Sequence, residues 1–312
     1  MPRSDYNREP ARHSRTERLA FLAIVVMTAA WGSTFFLIKD VVTRIGVTDL
    51  LAVRFGVATL AMLLLAGRHL KMSAETLRRG VLLGALYGLA QILQTYGLAQ
   101  TSASVSGFIT GLYVVATPLL GAVLWRARVE RRVWLAVLLA TVGLGVLSLN
   151  GFAIGTGELL TLAGALLYAG HILAMGRLTA PGTTMSLTLV QLIVVTVICS
   201  TAALPAGIAL PASGADWGAV LYLGVLAGAL TMYLQTWAQA HLEPTRAAVI
   251  MALEPVWAAA FAVALGGELV TVRMLLGGLA ILTAMYLVEL APPPRVAASV
   301  PAGARALRED PG

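Results

Sequence analysis

Apolar residues fall along this chain in long unbroken blocks, and polar residues gather between the blocks rather than alternating within them. A helix needs roughly 20 mostly apolar residues to cross the hydrocarbon core of a bilayer. The pattern predicts ten such spans, at 19–38, 50–66, 77–98, 103–125, 133–150, 157–177, 184–204, 216–239, 245–266 and 272–290. Pro and Gly punctuate the blocks at Pro181-Gly182, Pro205-Ala206-Gly207 and Pro292-Pro293-Pro294. The expected fold class is an all-α membrane protein with no room for a soluble domain. Residues 1–18 read as a cytoplasmic N-terminal segment and 291–312 as a disordered cytoplasmic tail. The first block follows Arg12, Arg15 and Arg18 but is too long for a signal peptide, so it reads as a retained helix.

Composition agrees with the pattern. Of 312 residues, 58% are apolar and 12% charged, where a soluble domain carries about 25% charged, and the mean hydropathy is +0.84. The net charge of +7 does not point to nucleic acid, because the basic residues sit in short clusters between apolar blocks. Those clusters set an orientation instead. Of the 22 Lys and Arg, eighteen fall on one side of the predicted spans, three (Lys39, Arg44, Arg273) on the other, and Arg54 lies within a span. Cytoplasmic loops of membrane proteins are enriched in Lys and Arg, so both termini are expected in the cytoplasm of a bacterial-type inner membrane. The single cysteine, Cys199, excludes an intramolecular disulfide and a Cys-rich metal site.

The two halves of the chain resemble each other. Ala30-Trp31 is similar to Leu167-Tyr168, and Ala52-Val53-Arg54 to Leu189-Val190-Gln191, both at an offset of 137. Gln94-Thr95-Tyr96 is similar to Gln235-Thr236-Trp237 at 141, and Glu130 to Glu268 at 138. Each likeness alone is what Ala/Leu/Gly-rich helices produce by chance; their preserved order is not. Two five-helix repeats, 19–150 and 157–290, follow. An odd number of spans per repeat makes the second copy enter the membrane from the opposite side, a plan common among secondary transporters.

These residues carry a family resemblance. Ala30-Trp31-Gly32-Ser33, Arg54-Phe55, Thr101-Ser102-Ala103-Ser104, Gly107 through Val115, Leu253-Glu254-Pro255-Val256 and Gly267-Glu268 resemble the drug/metabolite transporter superfamily, in its EamA-like branch. The resemblance covers nearly all of residues 19–290. It implies ten helices in two inverted halves, and export or exchange of amino acids, other metabolites or drugs. His241-Leu242-Glu243-Pro244-Thr245 departs from the family pattern, which often has a run of small residues there.

Enzyme signatures are absent. There is no GKS/GKT phosphate loop, no HExxH and no GxSxG elbow, so no cofactor, metal or catalytic residue is expected. What stands out is polar residues at helical spacing inside apolar spans. Tyr87, Gln91 and Gln94 share a face; so do Ser106, Thr110, Tyr113 and Thr117, then Tyr168, His171 and Met175, then Thr231, Gln235 and Gln239, and finally Glu254, Trp257 and Phe261. Lipid offers polar groups no partner, so these faces turn inward. Inward means either hydrogen bonding between helices or a wet cavity. Ser and Thr suit the first; large Gln and Tyr side chains suit the second, while Gly84, Gly88, Gly224 and Gly228 suit close packing. Glu254 reads as near the middle of its span, where an acidic residue costs roughly 2.5–3.5 kcal/mol on insertion scales. Pro255 beside it lacks an N–H and leaves a carbonyl near Met251 open. Lys39 reads first as an interfacial anchor.

The candidate solute-binding residues are Trp31, Arg54, Tyr87, Gln91, Gln94, Tyr113, Tyr168, His171, Gln235, Glu254 and Trp257. The expected partners are a small-molecule solute, the lipid bilayer and protons as coupling ion, with no nucleic acid. The leading reading is a secondary transporter, an exporter or exchanger of small metabolites. A membrane enzyme acting on lipid would need an acid, base or metal cluster at one leaflet, and the loops lack one. A scaffold or regulator has no use for the polar faces.

Overall fold

A computed structural model describes residues 15–67, 72–125, 131–150, 153–179, 182–242 and 250–289. The expected N-terminal segment up to residue 14, the tail from 290 and the segment 243–249, which includes part of the departing turn, lie outside them. The first half contains α1 (Arg15–Val41), α2 (Val47–Ala66), α3 (Ala74–Gln100), α4 (Ala103–Gly111), α5 (Tyr113–Trp125) and α6 (Arg131–Ser148). A two-residue antiparallel pairing, Leu149–Asn150 with Ala153–Ile154, links it to the second half. There follow α7 (Thr156–Leu178), α8 (Thr184–Ala203), α9 (Gly214–Leu221), a wide-turned helical stretch Tyr222–Leu230, α10 (Thr231–Gln239), α11 (Glu254–Ala264) and α12 (Val272–Glu289).

Seven helical segments among the described residues are long and apolar enough to cross a membrane, and Glu254–Ala264 and Val272–Val288 are shorter apolar helices. Large hydrophobic side chains stand exposed along them, among them Leu64, Val123, Leu159, Val197, Val272 and Leu279. A soluble monomer rarely exposes so much apolar surface; facing lipid, it costs nothing. The protein is an integral, multi-pass membrane protein.

Three expected spans differ in detail. The span 103–125 breaks at Leu112, between α4 and α5. There Gly111 lies so close to α11 that a Cβ would come within 2.8 Å of Pro255 Cγ. The span 245–266 is interrupted too: α11 starts at Glu254, with Pro255 in its first turn, where a missing N–H costs nothing. Glu254 thus heads a helix instead of lying along an unbroken one. The span 216–239 is continuous but widened over Tyr222–Leu230, with the i→i+5 winding that is rare in proteins.

Packing between the halves is reciprocal. α3 lies on α7 as α1 lies on α10; α3 on α8 as α2 on the wide-turned stretch; α4 and α5 on α7 as α1 on α11. The pairs α2–α8, α4–α11 and α6–α12 are their own counterparts. Helix caps repeat as well: Ser73 accepts from Thr76 N at the start of α3, and Ser213 from Asp216 N at the start of α9. The glycines do bring backbones together. A Cβ on Gly84 would stand 2.7 Å from Val194 Cβ, and one on Gly224 2.7 Å from the Arg54 carbonyl oxygen.

Candidate functional site

Polar faces from both halves converge on one pocket that opens between the two halves. Ten of the eleven candidates line it: Trp31 from α1, Arg54 from α2, Tyr87, Gln91 and Gln94 from α3, Tyr113 from α5, Tyr168 and His171 from α7, Gln235 from α10 and Glu254 from α11. They meet because the helices that carry the polar faces pack across the half-to-half boundary.

Arg54 is 2% exposed. Its Nε donates to the Leu223 carbonyl at 3.2 Å, in the wide-turned stretch, and Nη1 reaches Gln91 Oε1 at 3.5 Å. The guanidinium also lies 4.9 Å from the centre of the neighbouring Phe55 ring. Among the described residues it makes no ion pair. A buried cation held only by neutral oxygens and a ring is far from fully compensated.

Glu254 is 5% exposed and stands in the first turn of α11. The Tyr113 hydroxyl lies 3.0 Å from Glu254 Oε2 and 3.3 Å from the Met251 carbonyl oxygen. That carbonyl is the one Pro255 leaves without a helical partner. The open carbonyl expected there is therefore present, and Tyr113 covers it. The carboxylate also sits at the amide-rich end of α11, where the helix favours negative charge.

A neutral network completes the wall. Tyr168 donates to Gln94 Oε1 at 2.8 Å, and Gln94 Nε2 donates to Thr110 Oγ1 at 3.0 Å, so one amide joins α7 to α4. Trp31 Nε1 donates to Thr231 Oγ1 at 2.9 Å. Tyr87 meets the rings of Phe55, Tyr168 and His171 at centroid distances of 6.2, 5.6 and 5.3 Å. His171 is bonded to Gln191 Oε1 at 2.8 Å. Gln235 Oε1 is buried with no hydrogen-bond partner among the described residues, an acceptor aimed at nothing.

Trp257 is not brought to the cavity. Its ring stacks on Phe261 at 6.2 Å, and its Cβ presses against Gly32 of α1. α11 uses that side to pack on α1, so the shared face of Glu254, Trp257 and Phe261 splits between cavity and helix contact. Conversely, Thr34, Phe35 and Ile172 line the cavity although they are not among the sequence candidates. Thr34 and Phe35 follow Trp31 by one turn, which is the signal that finds them. Gln191, at the offset of 137 from Arg54, is found by the repeat. Lys39 is no simple anchor: its Nζ donates to the Leu98 and Ala99 carbonyls at 3.1 and 3.0 Å.

Comparison with known proteins agrees with this architecture. The model of the EamA-like transporter family matches the chain twice, over residues 18–149 and 155–290. An uncharacterized transporter of Archaeoglobus fulgidus is 29% identical over 273 residues, spanning 87% of this chain and 86% of that one. A solved structure described only as the crystal structure of a protein superposes with a TM-score of 0.65 over 86% of this chain and 96% of its own, at 17% identity, and supports the fold alone. The chain belongs to the EamA-like transporter family, within the drug/metabolite transporter superfamily.

Proposed function

We propose that this membrane transporter is a secondary transporter, an exporter or exchanger of small metabolites (amino acids, related compounds or drugs), working by alternating access at the central cavity. The observation that carries the reading is the pair Arg54 and Glu254. Each is buried, each lines the same cavity, each comes from a different half, and among the described residues they form no ion pair with one another. Buried ionisable groups without an ion-pair partner are costly within a membrane and mark solute or ion pathways. A cavity at the boundary of two repeats is where such folds place the solute.

The reciprocal packing supports ten spans in two repeats, 19–150 and 157–290, related by a two-fold axis in the membrane plane. The basic bias of the loops supports cytoplasmic termini in a bacterial inner membrane. Proton coupling enters through Glu254, whose carboxylate can exchange a proton with water in the cavity. One test is flux of a radiolabelled panel of amino acids and toxic compounds in sealed vesicles, for the parent and for Arg54→Lys and Arg54→Gln. Lys cannot reproduce the Nε bond to Leu223 together with the Nη1 contact, so both variants should lose flux about tenfold or more. Parent-like flux in both would remove Arg54 from the solute path, and no flux of any compound by the parent would overturn the reading.

A further inference from the structure

We propose that the corner between α3 and α4 is a door at one end of the cavity and that Glu268 is its latch. Phe35 lines the cavity. Phe35, Ile38, Leu98, Ala103, Ala258 and Ala262 belong to one buried apolar cluster that joins α1, α3, α4 and α11 and extends through Leu50, Val220 and Leu223 to α2, α9 and the wide-turned stretch. Phe35 ties this plug to the cavity wall, and Leu98 and Ala103 tie it to the corner at residues 98–104.

Three polar tethers hold the corner over the plug. Lys39 of α1 donates to the Leu98 and Ala99 carbonyls, at the electronegative end of α3. Glu268, in the connection between α11 and α12, accepts from Ala103 N at 2.6 Å, from Ser104 N at 3.4 Å and from the Ser104 hydroxyl, at the electropositive end of α4. Thr101 Oγ1 donates to Glu158 Oε1 of α7 at 2.9 Å. Opposite charges thus meet the two opposite helix ends of one corner. Glu268 is itself fixed, because its N–H bonds the Ala262 carbonyl after Gly267 turns at φ +71. That turn needs a residue able to adopt positive φ, so the latch is anchored at the end of the helix that carries Glu254.

The physical case for a door is the division of labour. The plug excludes water but contains no hydrogen bond to orient it. The tethers orient it, and they sit part-buried at helix ends, where entering water can replace each bond at small net cost. A seal that must open and reclose needs both properties. The inference rests on the transporter reading, but its test reads accessibility and not flux.

The test places Leu98→Cys, a plug residue 1% exposed, in a Cys199→Ser background reconstituted in nanodiscs. The rate of reaction with a water-soluble maleimide is then measured. With Glu268 intact the thiol should react slowly. Adding Glu268→Gln, which keeps shape and removes charge, should speed the reaction about tenfold or more, and Lys39→Met should raise it less. An unchanged rate in a folded Glu268→Gln protein overturns the door. Where that variant fails to accumulate, Ser104→Ala, which removes the hydroxyl bond alone, takes its place: a faster reaction supports the door and an unchanged rate overturns it. Raised access in a protein that carries no solute would leave the door standing and the transport reading fallen; flux with unchanged access would do the reverse.

Discussion

Thr59 of α2 and Thr196 of α8 share a hydrogen bond of 2.8 Å between their side-chain oxygens, and they stand 137 residues apart. That separation is the offset that relates Trp31 to Tyr168 and Arg54 to Gln191. Residues equivalent in a repeat can touch each other only where an axis relating the repeats passes between them, so the proposed two-fold axis would run through the α2–α8 contact. The Thr196 hydroxyl donates its proton to the Leu192 carbonyl at 2.9 Å, so Thr59 is the donor to Thr196.

A double-mutant cycle at the pair checks this. Thr59→Val and Thr196→Val should each lower thermal stability slightly, and the double variant should be less destabilised than the sum. The coupling should be about 0.6 kcal/mol, within a range reaching about 1.7. Strict additivity in unfolding measurements would mean that the two hydroxyls do not bond in the membrane.

The basic bias makes a topological prediction. Alkaline phosphatase fused after Gly312 should be inactive, and a fluorescent protein at the same place should fluoresce. An active phosphatase fusion would put the C-terminus outside the cytoplasm and overturn the orientation drawn from the basic bias.

Glu254 should serve transport more than folding. Glu254→Gln keeps the shape and a hydrogen bond to Tyr113 but removes the charge. It should insert and fold normally while flux falls about tenfold or more, and any dependence of flux on pH across 5–8 should flatten. Tyr113→Phe uncovers the Met251 carbonyl and leaves the carboxylate without its donor; its flux should fall less. If Glu254→Gln instead fails to accumulate, the residue belongs to the fold.

Close helix approach should fail when its small residue is enlarged. A side chain on Gly84 would meet Val194 and the Gln191 backbone at under 3 Å. Gly84→Leu should therefore lower membrane accumulation and thermal stability by several kcal/mol, since overpacking costs typically about 1–3 kcal/mol where the neighbours can move. Gly170→Ala, where open space surrounds the position, should behave like the parent in the same measurements.

Much of the fold and the cavity is legible in the residues. Apolar blocks mark most helices because lipid imposes one rule on every residue facing it. Polar faces such as Tyr87-Gln91-Gln94 point to the cavity because each could be satisfied only inward. What stays hidden depends on contacts made across the fold. The break at Leu112 comes with the approach of Gly111 to Pro255, and nothing near Leu112 announces it. Trp257 shares helical spacing with Glu254, yet Gly32 of α1 opens a seat for it elsewhere. Ile172 lines the cavity but reads in sequence as any apolar residue of a span.

The wide-turned stretch also bears on how the two halves diverged. The capping serines Ser73 and Ser213 are 140 residues apart, whereas Gln94 and Gln235 are 141 apart. One more residue therefore separates cap from glutamine in the second half than in the first, and Tyr222–Leu230 lies inside that interval. An insertion in an ordinary α-helix would rotate everything after it by about 100° and turn Gln235 away from the cavity. Winding the helix with an additional residue per turn absorbs such an insertion locally. The same widening places the Leu223 carbonyl against Arg54, so the stretch that takes up the additional residue also holds a side chain that lines the cavity.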